Sequence, residues 1–126
     1  MRILFVCVGN SCRSQMAEGL ARALSAGMHE VWSAGTRPAG HVSPQAVQVL
    51  AERGIDISSK RPKSLADVPA DVDLAIALCE DRCPTVRANR HEHWPTPDPY
   101  GGPVSEFRAV RDQIEARVRD LLERLG

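Results

Sequence analysis

The chain has 126 residues, and its 16 basic and 16 acidic side chains leave it without formal net charge at neutral pH. This balance excludes a global field of the kind that recruits nucleic acid or an anionic membrane. The length suits one domain with its own hydrophobic core, and no apolar run approaches the roughly 20 residues of a membrane span. We therefore expect a single domain over residues 1–126, monomeric, with neither a nucleic-acid nor a membrane partner.

The predicted elements alternate between strand and helix. Continuous apolar runs indicate buried strands, and apolar residues at helical spacing indicate helices that cover them. In chain order we predict a strand at Arg2–Val6, a helix at Ser14–Gly27, a strand at Glu30–Gly35, a helix at Ser43–Gly54, a very short strand at Ile55–Ile57, a strand at Val72–Cys79, an irregular region at Glu80–Pro103 and a helix at Val104–Leu125. The alternation predicts a doubly wound α/β fold, with a central parallel sheet of about four strands and helices on both faces.

Two cysteines stand where a ligand site is expected. Cys7 follows the first predicted strand directly, and Cys79 ends the strand "VDLAIALC". In a parallel sheet, ligands bind at the carboxyl ends of the strands. Both thiols should therefore open onto the same edge of the sheet.

The N-terminus lacks the small-residue cleavage site of a secretory signal, so we expect a cytoplasmic protein. In a reducing compartment, four cysteines are more often catalytic, redox-active or metal-binding than a structural disulfide framework.

The stretch "FVCVGNSCRSQMAEG" combines a nucleophile with an anion cradle. Gly9 and Asn10 can take left-handed backbone angles, so the loop can turn its amides inward at a helix N-terminus and bind a tetrahedral oxyanion. Arg13 adds a planar fork that grips two oxygens. The same positive environment favours the thiolate of Cys7, to which Ser14 could donate a hydrogen bond. The alternative is that Cys7 is a small core residue and Arg13 a surface charge.

This stretch resembles a known family. "CVGNSCRS" is similar to the phosphate loop of low-molecular-weight protein tyrosine phosphatases, and "CVGNSCRSQMAEG" is more similar to their relatives, the thioredoxin-coupled arsenate reductases. The segments "LAIALCEDRCP", "HEHW", "DPYGG" and "SEFRAVRDQI" also resemble that reductase branch. The resemblance extends from Arg2 to about Ile114, and it implies a phosphatase-like fold and the reduction of arsenate to arsenite.

The resemblance implies a role for each matching residue. Cys7 would be the nucleophile, Arg13 the oxyanion ligand and Asp98 the general acid. Cys79 and Cys83 would relay the disulfide to thioredoxin or a similar dithiol carrier, without a bound cofactor or metal. Phosphate and sulfate would compete with arsenate for the substrate-binding loop, which comprises Val8, Gly9, Asn10, Ser11, Cys12, Arg13 and Ser14.

Other interpretations of these residues remain open. Asp98 stands before a proline and could be a plain turn residue. Cys79 could simply end a core strand, with Cys83 incidental, or both could join His91 and His93 in a zinc site. Cys12 is expected to pack the loop, or to form a protective disulfide with the nucleophile.

The sequence departs from the reductase branch at two places. The spacer between Cys79 and Cys83 is shorter than in well-known members. In some members a monovalent cation is bound at positions resembling Asn10, Glu18 and Ser33 together with an aspartate, but this region reads "SSKRPKSL" here and has no acidic residue. We therefore do not expect that cation site.

Two alternative functions are a phosphatase-type phosphomonoesterase that uses Cys7, Arg13 and Asp98 alone, and a non-enzymatic module that binds zinc or arsenite. The presence of Cys79 and Cys83, which a phosphatase does not need, argues against the first alternative as the main role.

Overall fold

A computed structural model of the protein describes residues 1–80 and 86–126. Its four strands form one sheet in the order β2-β1-β3-β4, and all neighbouring strands are parallel. This confirms the predicted α/β class with a parallel sheet of four strands, but the described helices do not cover both faces of the sheet as predicted. The elements are β1 (Arg2–Cys7), α1 (Arg13–Ser25), β2 (Glu30–Gly35), α2 (Pro44–Ala51), a 3₁₀ turn (Leu65–Asp67), β3 (Val72–Ala77), β4 (Ala88–His93) and α3 (Val104–Leu125).

The two faces of the sheet are covered unequally. Because side chains alternate along a strand, Ile3 and Phe5 of β1 lie on one face, and they share a core with buried residues of all three α-helices. Leu4 and Val6 lie on the other face, where they pack near the 3₁₀ turn through Leu65. The thick helical layer therefore covers one face, and a single short turn with its flanking chain covers the other.

The helices form where their apolar spacing predicts them. Met16 and Leu20 of α1 are fully buried, and the helix ends before Ala26 and Gly27, which take left-handed backbone angles. Helix α3 buries one stripe against the sheet and places Glu115 close to Arg119 on its exposed side. No helix in residues 1–80 and 86–126 has the length and apolarity needed to cross a membrane.

Two elements differ from the sequence prediction. Residues 55–57 are not a strand, because Ile55 and Ile57 instead pack against Gly19 of α1. The region predicted as irregular contains β4, whose residues "ANRHEH" are mostly exposed. It is an edge strand paired with β3 alone, so it needs few apolar side chains and gives no hydrophobic signal.

Candidate active site

The loop between β1 and α1 surrounds a cavity at the carboxyl edge of the sheet. Strand β1 ends at Cys7 and α1 begins at Arg13, so the intervening residues turn across the helix N-terminus. Asn10 takes a left-handed conformation with φ of 50°. The cavity has a volume of about 190 Å³, and we call it the loop cavity. It is lined by Cys7, Val8, Gly9, Ser11, Cys12, Arg13, Ala39, Asp98 and Tyr100.

The Cys7 thiol lies at the base of the loop cavity and has two hydrogen-bonding neighbours. It is a free cysteine that is 2% exposed. Its Sγ lies 2.8 Å from Ser14 Oγ, and the backbone N–H of Asn10 donates to the same sulfur at 3.2 Å. These two polar neighbours lie at the N-terminus of α1, where the helix dipole concentrates partial positive charge. The geometry is therefore that of a nucleophile rather than of a cysteine packed in an apolar core.

Asn10 fixes the shape of the loop. Its buried amide Nδ2 donates to Ser14 Oγ at 2.7 Å and to Ser33 Oγ at 2.9 Å. Its Oδ1 accepts from Gln15 Nε2 at 2.9 Å and from the backbone N–H of Lys63 at 2.8 Å. One side chain thus joins the loop to α1, to β2 and to the segment before the 3₁₀ turn. The left-handed backbone that the sequence allowed at Asn10 is present, whereas Gln15 and Lys63 were not predicted as its partners.

Gly35, at the end of β2, allows the loop to lie against the sheet. It pairs with Cys7 in the β1–β2 register. A Cβ atom at this position would lie 2.6 Å from Val8 O and 2.9 Å from Asn10 N, closer than real Cβ contacts. The close approach therefore requires glycine here. The sequence signal was the "SAG" ending of a strand at the same sheet edge as Cys7, and our sequence interpretation missed it.

Arg13 is buried beneath the loop cavity and is held by backbone carbonyls. Its side chain is 6% exposed. Nη1 donates to Leu78 O at 3.2 Å and to Thr96 O at 3.0 Å, while Nη2 lies 3.6 Å from Asp98 Oδ2. One nitrogen is thus committed to the protein and the other faces the cavity. The alternative of a surface charge does not fit this burial.

Asp98 is both a turn residue and a cavity residue. Its Oδ1 accepts from the backbone N–H of Tyr100 at 3.1 Å, which is the side-chain-to-backbone bond of an Asx turn. Its side chain is 48% exposed and lines the loop cavity. The turn therefore fixes one oxygen and leaves the other, Oδ2, near Arg13 at the cavity mouth.

Cys12 is a second free thiol in the loop cavity, but its environment is different. Burial raises the pKa of Cys12 to about 11, and the neighbouring Asp98 carboxylate adds to the effect. Cys12 therefore stays protonated at neutral pH and is a poor nucleophile there. This agrees with the expectation that it packs the loop.

Cys79 lies two residues beyond the end of β3 and is 5% exposed. Strand β3 pairs with β1 so that Val6 is opposite Ala77, and the N–H of Leu78 donates to Val6 O at 2.8 Å. Cys79 thus emerges beside the strand that carries Cys7, as the sequence predicted. Cys79 is disulfide-bonded. The other predicted relay residue, Cys83, lies outside the described residues.

The two histidines of the alternative zinc set contact backbone rather than each other. The Nε2 atoms of His91 and His93 lie 2.6 Å from Val86 O and 2.7 Å from Cys79 O, respectively. Within residues 1–80 and 86–126, no three Cys, His, Asp or Glu side chains are grouped as metal ligands. The described part of the chain therefore gives no support to the zinc alternative.

Glu18 is a buried carboxylate surrounded by cations of the chain itself. It accepts a hydrogen bond from Ser33 Oγ at 2.5 Å. Lys63 Nζ lies 3.5 Å, Lys60 Nζ 3.8 Å and Arg22 Nε 3.3 Å from its oxygens. Both lysines come from the segment "SSKRPKSL", where the sequence has no aspartate. Two ammonium groups thus face this buried carboxylate.

Comparison with known proteins connects this geometry to a family. Residues 2–126 match the model of the low molecular weight phosphotyrosine protein phosphatase family. An arsenate reductase of Staphylococcus aureus (strain Newman) is 41% identical over 127 residues, which cover 97% of this chain and 96% of the relative.

Solved structures give the same result. A structure described as an arsenate reductase in the phosphate binding state is 37% identical, with a TM-score of 0.91, and the match covers 99% of this chain and 98% of that one. A low molecular weight protein tyrosine phosphatase from T. tengcongensis is 33% identical, with a TM-score of 0.84 and coverage of 98% and 99%. These matches confirm the resemblance found in the loop sequence.

Proposed function

The chain belongs to the low molecular weight phosphotyrosine protein phosphatase family, and we propose that within this family it acts as an arsenate reductase, converting arsenate to arsenite. The observation that carries the proposal is the position of Cys79 beside the strand of the nucleophile. A phosphatase needs only Cys7, Arg13 and Asp98. Reduction of a bound oxyanion requires in addition a second cysteine near the first, and Cys79 supplies it once its disulfide has been reduced. The arsenate reductase relatives support the same activity.

The first step joins arsenic to Cys7. Arsenate enters the loop cavity as a tetrahedral anion and is held by loop N–H groups, the N-terminus of α1 and Nη2 of Arg13. The Cys7 thiolate attacks arsenic and one oxygen leaves. Asp98 delivers a proton to that oxygen, which departs as water. Catalysis to this point is the chemistry of the phosphatase family with arsenic in place of phosphorus.

The second step reduces the arsenic. The Cys79 thiolate attacks Cys7 Sγ and forms a Cys7–Cys79 disulfide. The electron pair of the sulfur–arsenic bond passes to arsenic, which leaves as arsenite. Cys83 then attacks Cys79, which frees Cys7 and transfers the disulfide to the Cys79–Cys83 pair. This last transfer is a thiol–disulfide exchange.

We assign the final reduction to an external dithiol carrier of the thioredoxin type, so the chain itself needs no redox cofactor. The phosphate-bound arsenate reductase relative supports phosphate as a competing anion, and sulfate has the same shape. A relay that thioredoxin resets requires a reducing compartment, so we assign the protein to the cytoplasm. We take the protein to act as a monomer, because Arg13, Asp98 and the loop of one chain together line the loop cavity.

A second candidate function is phosphomonoester hydrolysis. It is favoured by the loop cavity, which contains the nucleophile, the arginine and the carboxylic acid of the first step. Because that step is shared, a weak phosphatase activity can accompany the reductase. It would make no use of Cys79.

The deciding experiment measures arsenate-dependent NADPH oxidation with thioredoxin and thioredoxin reductase, and separately with glutaredoxin and glutathione. Hydrolysis of p-nitrophenyl phosphate is measured in parallel. We expect wild type to produce arsenite with thioredoxin, and both Cys7→Ser and Cys79→Ser to lose this activity. Cys7→Ser should also lose the phosphatase activity, whereas Cys79→Ser should retain it. If wild type produces no arsenite with either donor but hydrolyses the phosphate ester, the phosphatase is the main function.

A further inference from the structure

Three consecutive carbonyls at the end of β3 are held by the chain that leaves β4. Two of these bonds are made by backbone N–H groups, which substitutions cannot remove selectively. The third is made by a side chain, and its acceptor is the carbonyl of Cys79. The three bonds are Trp94 N–H to Ala77 O at 2.8 Å, Thr96 N–H to Leu78 O at 3.3 Å and His93 Nε2 to Cys79 O at 2.7 Å.

The direction of the third bond follows from its acceptor. A carbonyl oxygen cannot donate, so His93 Nε2 carries the proton and donates to Cys79 O. His91, two residues earlier on β4, makes a similar bond to Val86 O at 2.6 Å, away from the cysteine. The strand therefore carries two histidines with similar bonds, and one of them reaches the proposed relay thiol.

His93 stands on a firmly anchored part of the chain. The preceding Glu92 contacts Arg124 of α3 at 3.2 Å and accepts from Trp94 Nε1 at 3.0 Å. The following Trp94 is 4% exposed, and its ring lies 5.8 Å from that of Phe5 on β1. Because both neighbours of His93 are anchored, its side chain can hold the Cys79 carbonyl in a fixed position relative to the core.

We propose that His93 is a positioning residue that fixes the backbone of Cys79 so that its sulfur can meet Cys7. The inference rests on the proposed function, since a fixed Cys79 matters for the relay and not for anion binding. His93 does not line the loop cavity. Loss of the donor should therefore slow disulfide formation while leaving the first chemical step intact.

The test uses a two-cysteine background, Cys12→Ala with Cys83→Ser, in which Cys7 and Cys79 are the remaining thiols. After full reduction, a single equivalent of arsenate is added, and the Cys7–Cys79 disulfide is followed by quenched alkylation and mass spectrometry. The same rate is measured with diamide, which accepts two electrons and two protons from the two thiols as their S–S bond forms. Diamide reports the geometry without arsenic chemistry.

Three variants are compared in this background. His93→Phe keeps a ring and removes the donor, so we expect disulfide formation to slow about fivefold to tenfold, the scale of one lost hydrogen bond. His93→Gln retains an N–H donor and should recover most of the rate. His91→Phe is the matched control and should behave as the background protein. Phosphate affinity should be unchanged in all three.

The outcomes separate this inference from the proposed function. Equal rates in His93→Phe and the background with diamide would overturn the positioning role, as would a His93→Gln variant no faster than His93→Phe. A diamide effect without any arsenate-driven disulfide in the background would refute the reductase proposal and leave the positioning role standing. Failure of the background to form a Cys7–Cys79 disulfide with diamide would overturn the inference itself.

Discussion

Replacing Gly35 by alanine should displace the backbone of the loop that lines the loop cavity. The new Cβ would lie 2.6 Å from Val8 O, and an ordinary contact begins near 3.4 Å, so the loop would have to retreat by about 0.8 Å. Val8 O cannot move freely, because it already accepts from the N–H of Arg37 at 2.8 Å. The strain therefore falls on the loop that carries the anion-binding amides.

The magnitude follows from this displacement. A misplacement of about 1 Å in a catalytic constellation can cost roughly 10²-fold in rate, and overpacking a tight site costs about 1–3 kcal/mol of stability. We therefore expect Gly35→Ala to bind phosphate at least tenfold more weakly and to lose about 10²-fold in arsenate turnover. Its free energy of unfolding should fall by about 1–3 kcal/mol.

The assay is phosphate binding by calorimetry, combined with steady-state arsenate reduction and urea unfolding. Gly40→Ala is the matched control, because a Cβ at Gly40 meets no atom within 4 Å. It should behave as wild type in all three measurements. If Gly35→Ala binds phosphate as tightly as Gly40→Ala, the loop does not depend on this close approach and the reasoning is wrong.

Four further predictions address single groups. Arg13→Lys should lose phosphate affinity, because lysine cannot bond two carbonyls through one nitrogen and an anion through another; calorimetry checks this, and wild-type affinity would contradict it. Asp98→Asn should slow arsenate reduction by about 10²–10⁴-fold while leaving phosphate affinity nearly unchanged, and an unaltered rate would make the residue a turn former only. Iodoacetamide at pH 7.5 should spare Cys12 in reduced protein, because its pKa of about 11 keeps it protonated; rapid labelling of Cys12 would contradict this. Hydrogen bonds from two arginines lower the pKa of Glu52 from 4.5 to about 2, so its stabilisation is complete above 4.5 and is lost as pH falls towards 2; acid unfolding curves of wild type and Glu52→Gln should converge over that range.

The strands and helices were predictable wherever the spacing of apolar residues clearly matched one type of element. The apolar run of β1 and the stripe of α3 gave their elements directly, because burial on a sheet or along a helix face imposes that spacing. Strand β4 could not be found this way, since an edge strand exposes most of its side chains. The Ile55–Ile57 segment was wrongly predicted as a strand. Its isoleucines are apolar because they pack against α1 at Gly19, and not because they pair in the sheet.

The candidate site, too, was predictable from the sequence only in part. Cys7 and Arg13 were found because the loop that holds them is continuous in sequence. Lys63 was missed, although its backbone N–H donates to Asn10, because that contact joins residues 53 positions apart. A lysine does not signal such a contact locally. Only the folded chain brings it to the loop.

The peptide of Leu78 has a consequence for how a reductase can arise from a phosphatase. Its N–H is bonded to β1 just before Cys7, and its carbonyl is bonded to Arg13. Neither bond involves a relay cysteine, so residue 78 is fixed whether or not a relay is present. The next residue then emerges beside the nucleophile whatever its side chain is. In a phosphatase with this strand pairing, one substitution at the position of Cys79 would place a second thiol beside the nucleophile. The loop cavity that performs the first chemical step would not have to change.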